Sequence, residues 1–256
     1  VVDFLVAVVM GVWYLLENGH WENGEFQQSF YKYLSEQSIL MLFVATLVSI
    51  PVFYFLYRRD SKQKLFTYGL ARVKKLSYLW IIPASIAAYF LFTQLLDVTI
   101  VYLPEASLKS FAEADRLLTS GNLILQTLTV VVMAPVVEEL LFRGLVFRRL
   151  SVLLGTAGGI FGSALIFAVF HGNLIQGIYA FLVGILLAWT YYHYRAIYAP
   201  ILMHMCMNGV SQVLRFIDVE TFIYSSSVVF FVVVAVEMIL FLICCFGISR
   251  LKAAGK

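Results

Sequence analysis

A chain of 256 residues that is 62% hydrophobic and only 13% charged departs from soluble domains, which run at about 45–50% apolar and about 25% charged. An integral membrane protein is expected. The net charge of +3 comes with no basic patch interleaved with aromatics, so nucleic acid is excluded as a partner. The three cysteines, Cys206, Cys244 and Cys245, all sit in apolar stretches and are too few for a disulfide framework.

Taking ~20 apolar residues as the length that spans a bilayer, eight segments qualify as candidates. They are Phe4–Leu16, Ile39–Tyr57, Tyr78–Leu103, Asn122 to about Phe142, Gly158–His171, Leu174–Tyr192, Ile197–Arg215 and Val228–Ile248. No basic region precedes the first run, so no cleavable signal peptide is expected. No repeat or low-complexity linker interrupts the chain. The expectation is an all-α, polytopic membrane bundle of about eight transmembrane helices, with residues 1–256 as a single domain.

The connecting stretches alternate in charge. Glu17–Gln37 and Pro104–Gly121 read as acidic or mixed loops. Arg58–Lys75 carries seven basic residues against Asp60, Arg143, Arg148 and Arg149 follow the fourth span, Arg195 follows the sixth, and the tail is basic. Lysine and arginine excess marks cytoplasmic loops. With eight spans, both termini fall in the cytoplasm of a multi-pass cell-membrane protein.

Within the fourth span, the stretch 134–144 reads Ala-Pro-Val-Val-Glu-Glu-Leu-Leu-Phe-Arg-Gly. A carboxylate at that depth costs ~2.5–3.5 kcal/mol on insertion scales and marks a functional site with a partner. Candidate partners are His171, His204 and Asn208. At ~1.5 Å of rise per helical residue, Glu138 lies ~16 Å back from Arg149, His171 ~20 Å on from Gly158, and His204 and Asn208 ~14 and ~20 Å on from Arg195. Three helices thus bring polar groups to one layer near mid-membrane.

Spacing suggests roles. Glu139 and Arg143 are neighbours at i,i+4 and pair, which neutralises one carboxylate. Glu138, turned ~100° away, faces the interior. Phe167 and His171, and likewise His204 and Asn208, share helix faces at i,i+4. A carboxylate with an imidazole can hold and deprotonate a water, and a histidine with an asparagine amide can donate to an oxyanion. These are parts for hydrolysing an amide without a protein nucleophile. Phe167 reads as packing that positions His171. Glu237 reads as structural or lumen-lining, Gln94 and Asp97 as interfacial, His20 and His193 as loop or interface residues. The glycine run from Gly155 to Gly159 reads as a linker and packing surface, since it lacks the lysine and strand of a phosphate loop.

The motifs Glu138-Glu139-x-x-x-Arg143, Phe167-x-x-x-His171 and His204-x-x-x-Asn208, in that order, resemble those of the CPBP intramembrane proteases, the family of the CAAX prenyl endopeptidases and of bacteriocin-processing and self-immunity (Abi) proteins. The resemblance covers about 122–215, the expected catalytic core, and the short loops look more like the bacterial branch. It implies Glu138 as general base, His171 holding the catalytic water, His204 and Asn208 as the oxyanion site, and Glu139 and Arg143 in support. No cofactor is expected. A His-Glu-x-x-His helix is absent, although Glu138, His171 and His204 are the three ligands a catalytic zinc would take.

The partners implied are the lipid bilayer and a membrane-associated peptide or protein substrate. Prenylated CAAX protein, pheromone precursor and bacteriocin leader all fit that description. The alternative is a non-proteolytic Abi-type protein that binds and regulates a membrane partner, such as a sensor or an exported peptide, or confers bacteriocin self-immunity. A proton relay or transporter would also use buried Glu and His, but the inverted repeats of transporters are missing.

Overall fold

The structure is a computed structural model that describes residues 24–62, 75–119 and 121–251. Among them every regular element is helical. In order these are α1 (Gly24–Glu36), α2 (Ser38–Ser61), a 3₁₀ turn (Lys75–Trp80) feeding α3 (Ile81–Ile100), and α4 (Glu105–Thr119). A long helical path follows, made of α5 (Leu123–Gln126), a π-helix (Thr127–Met133), α6 (Ala134–Leu141), a second π-helix (Phe142–Phe147) and α7 (Arg148–Phe170). The chain ends with α8 (Leu174–Tyr194), α9 (Tyr198–Leu214), α10 (Glu220–Ile223) and α11 (Ser227–Ser249).

Among the described residues, five helices are long and apolar enough to cross a membrane: Ser38–Ser61, Leu76–Ile100, Leu123–Phe170, Leu174–Tyr194 and Ser227–Ser249. Helices are the form such segments take, because only there are all backbone polar groups satisfied within the segment. The molecule is a helical membrane bundle. The first expected span, Phe4–Leu16, and residues 63–74 of the basic stretch lie outside the described residues.

The 48-residue path Leu123–Phe170 contains two of the expected spans, folded against each other. Gly155 has φ 74° and ψ 174°, a left-handed conformation that glycine adopts without penalty. A Cβ on Gly159 would fall on the Ser151 side chain, and one on Gly162 would meet Leu150 Cδ1 at 3.0 Å. Residues eight apart in a straight helix are separated by ~12 Å, so the chain reverses at Gly155. The glycines that follow allow the two arms to touch. The expected seventh span is α9, 17 residues or ~26 Å long, with Met203 and Met207 fully buried.

Two stretches expected as loops are helical, α1 within Glu17–Gln37 and α4 within Pro104–Gly121. Both are amphipathic rather than uniformly apolar, so hydropathy passes over them. In α4, Lys109 pairs with Glu105 at i,i+4 and 2.9 Å. Arg215, just past α9, binds Asp115 at 2.7 Å, and Ser38 Oγ donates to the Leu117 carbonyl. The last two contacts hold α4 to the end of α9 and the start of α2.

Side-chain caps set the helix starts. Asn122 Oδ1 accepts the N–H groups of Ile124 and Leu125, Asn173 Oδ1 that of Gln176, and Ser226 Oγ that of Val229. Each satisfies donors that a helix start leaves open. The main core joins α3, α8, α9 and α11 through Ala84, Ala88, Leu187, Met203, Met207 and Cys244. A smaller cluster of Phe142, Phe167 and Ala180 lies beside the glutamate pair.

Candidate active site

Glu138 and Glu139 lie on α6, eight residues of α-helix between two π-helices. Such wide turns inside a helix are uncommon and cluster at functional sites. The two carboxylates have different surroundings. Glu139 is fully buried, whereas the Glu138 side chain keeps 31% of its exposure. Arg143, also fully buried, donates from Nη1 to Glu139 Oε1 at 2.8 Å. Its Nη2 donates to the Gly184 carbonyl on α8 at 2.9 Å, and the guanidinium stacks 4.7 Å from the Phe167 ring centre.

His204 from α9 sits between the two glutamates. Its Nδ1 lies 2.9 Å from Glu139 Oε1, and its Nε2 lies 3.7 Å from Glu138 Oε2. An ionised carboxylate only accepts, so Nδ1 carries a proton and donates it to Glu139. That fixes the ring orientation and points Nε2 at Glu138. The expectation gave Glu139 one partner, Arg143, and paired His204 with Asn208. The observed network is Arg143–Glu139–His204–Glu138, because α9 packs against α6 with its histidine level with the pair.

His171 caps the end of α7, and the positive φ of Gly172, 74°, turns the chain toward α8. Its Nδ1 is 2.8 Å from the Phe167 carbonyl. A carbonyl only accepts, so Nδ1–H donates and Nε2 of the neutral ring holds the lone pair. Phe167 connects the two histidines, edge-on to His171 at 4.7 Å and to His204 at 5.9 Å between ring centres. With 1% exposure it forms a wall common to both. Asn208, one turn beyond His204, donates from Nδ2 to the Val130 carbonyl in the first π-helix at 2.9 Å. That commits one of its two amide hydrogens.

Residues 120–210 match the Rce1-like family model, type II CAAX prenyl endopeptidase. The resemblance drawn from the three motifs therefore stands over this stretch. No curated protein and no solved structure matches the chain. The Rce1-like stretch runs from the start of the long helical path through most of α9 and contains Glu138, Glu139, Arg143, Phe167, His171, His204 and Asn208.

Two parts of the Rce1-like stretch were not singled out in the sequence. Gly184 has no side chain where a Cβ would meet Ala164 at 3.0 Å and Phe167 at 3.3 Å. Its absence lets α7 and α8 approach closely and offers the carbonyl that Arg143 uses. A glycine in the middle of an apolar span is a readable sign of close packing. The Val130 carbonyl has no such sign. Among the described residues, no group of three or more His, Cys, Asp or Glu side chains is gathered as a metal ion would need.

Proposed function

We propose that the protein is an intramembrane endopeptidase that hydrolyses a peptide bond of a membrane-associated protein or peptide. The observation that carries this reading is the unequal glutamate pair, one carboxylate sealed and tied to Arg143 and His204, the other reachable and facing His204 Nε2. In the proposed reaction Glu138 takes a proton from a water that the His171 Nε2 lone pair helps to hold. The hydroxide adds to the scissile carbonyl. The resulting oxyanion accepts hydrogen bonds from His204 Nε2–H and from the second amide hydrogen of Asn208. Glu138 then returns its proton to the leaving amine nitrogen as the C–N bond breaks.

Arg143 pairs with Glu139, and His204 reaches both carboxylates through its two ring nitrogens, so each carboxylate has a partner in a site taken out of water. Glu139 acts through His204, fixing which of its nitrogens faces the reacting carbonyl. The proposed chemistry needs no cofactor. Stoichiometric zinc in active protein, lost together with activity on chelation, would reverse that part of the reading. The charge pattern of the loops supports cytoplasmic termini.

The test compares wild type with Glu138→Gln for processing of co-expressed membrane-anchored peptides, read by mass spectrometry. Removing a general base costs ~10²–10⁴-fold, so the variant is expected to leave the peptides uncut while inserting normally. Unchanged processing by Glu138→Gln would overturn the reading and favour a binding or regulatory protein.

A further inference from the structure

Away from the glutamate pair, a second intramembrane carboxyl lies in the seam between α3 and α11. Gln94 on α3 donates from Nε2 to Glu237 Oε1 on α11 at 3.4 Å. Gln94 is 5% exposed. The two remaining polar atoms of this pair, Gln94 Oε1 and Glu237 Oε2, are both buried without a hydrogen-bond partner. Neither can satisfy the other if the carboxyl is ionised, because an amide oxygen and a carboxylate oxygen both only accept. One added proton resolves both. A protonated Oε2 donates to Gln94 Oε1 while Gln94 Nε2 donates to Glu237 Oε1, closing a ring of two reciprocal bonds. Exchanging the amide O and N of Gln94 leads to the same ring.

The surroundings favour the neutral form. The titratable groups near this end of α11 are Tyr89 and Asp97 on α3, Glu220 on α10, Tyr224, whose hydroxyl donates to Asp97 Oδ2 at 2.6 Å, and Arg215 just past α9, which is paired with Asp115. On α8 the nearest is Tyr179. The basic residues of the elements packed against α11, together with its own Arg250, are Lys75, His193 and Arg250. All lie toward the opposite end of the bundle, where Tyr194 donates to the Ser77 carbonyl and Gly247 meets Trp80. An unpaired carboxylate in an apolar seam is costly and neutralises instead.

We infer that Glu237 and Gln94 form a proton-binding site in the α3–α11 seam, closed as a reciprocal carboxylic acid–amide pair that clamps α11 to the bundle while the proton is bound. The clamp carries no part of the proposed hydrolysis. It bears on α3, which packs through Ala84 and Ala88 against Met203 and Met207 of the helix bearing His204. A carboxyl that folds protonated stabilises the fold while it keeps that proton, and the contribution is lost as pH rises through its titration.

The test is infrared difference spectroscopy of the full chain in lipid bilayers, with melting followed from mildly acidic to alkaline pH. Wild type at neutral pH is expected to show a carboxylic acid C=O band that shifts in deuterium oxide, fades at alkaline pH and is missing in Glu237→Gln. Its melting temperature is expected to fall over the same interval. Glu237→Gln, which keeps a reciprocal pair without a titrating proton, is expected to lose that fall. Gln94→Leu is expected to keep the acid band at an altered frequency, since the partner of the acid proton is gone. A wild-type spectrum without a Glu237-dependent acid band, or a Glu237→Gln protein as alkali-sensitive as wild type, would overturn the inference.

Discussion

Two arginine–carboxylate pairs of nearly equal length sit at different depths in this molecule. Arg143 binds Glu139 at 2.8 Å with both side chains fully buried, and Arg215 binds Asp115 at 2.7 Å with 35% and 47% of the side chains exposed. The first holds α6 in register with α8 and α9. The second ties the end of α9 to α4 at the rim. Distance does not separate them, and surroundings do. In water, the charges of the rim pair are already solvated and the contact adds little. In the interior, each charge depends on its partner, so removing one leaves the other exposed to the full cost of desolvation. Depth also explains why the inner pair recruits a second layer of contacts, His204 on Glu139 and the Gly184 carbonyl and Phe167 ring on Arg143, while the outer pair has none that it needs.

The comparison breaks most sharply at Arg143. Arg143→Met keeps much of the volume and removes the cation, leaving Glu139 buried with His204 as its remaining ionic partner. A loss of ~3–5 kcal/mol is expected for an uncompensated buried charge, read as a lower melting temperature and a poorer folded yield in detergent. Arg143→Met that melts like wild type would mean that Glu139 is held neutral and that the inner pair is no more than the outer one. The next effect is steric. Gly184→Val places carbon where Ala164 and Phe167 already sit at 3.0 and 3.3 Å, and overpacking of this kind costs ~1–3 kcal/mol. The same measurement checks it. Because Phe167 contacts both histidines, Gly184→Val is also expected to lower the proposed activity by more than its stability loss explains, whereas a substitution at the rim is not.

How much of this was legible before the structure depends on the range of the signal. The spans are local runs of apolar residues, and the helices α2, α3, α8 and α11 follow them to within a few residues. The Glu139–Arg143 contact is contained in four residues of spacing. The Glu139–His204 contact joins residues 65 apart, and only the packing of α9 on α6 creates it. The reversal at Gly155 had a local cue in the glycine run, but the fold-back of two arms along its length needed Ser151 and Gly159 to be seen together. The π-helices at Thr127–Met133 and Phe142–Phe147 have no residue signature, since a widened turn depends on what the neighbouring helices offer the freed carbonyls, as Asn208 offers Val130. Glu237 has no partner at helical spacing, and its sequence context reads as structural or lumen-lining. Its partner Gln94 lies 143 residues away. Helix α4 did have a periodic polar face, which an estimate based on hydropathy alone discards.

The rim pair sets the lower end of the comparison. Asp115→Asn keeps the shape of the side chain and removes its charge, leaving Arg215 able to turn toward water. A loss of no more than ~1 kcal/mol is expected for a pair this exposed. What remains of it is expected to fade as salt rises, because ~1 M salt shortens the screening length to ~3 Å. Thermal melting of wild type and Asp115→Asn at low and high salt measures both quantities. The inner pair is expected to respond little to the same salt, since no mobile ion reaches it. If Asp115→Asn instead costs as much as Arg143→Met and resists salt, then the rim is not solvated in the membrane-bound protein. In that case α4 lies within the low-dielectric zone, and the boundary between interior and interface has to be moved outward past Arg215.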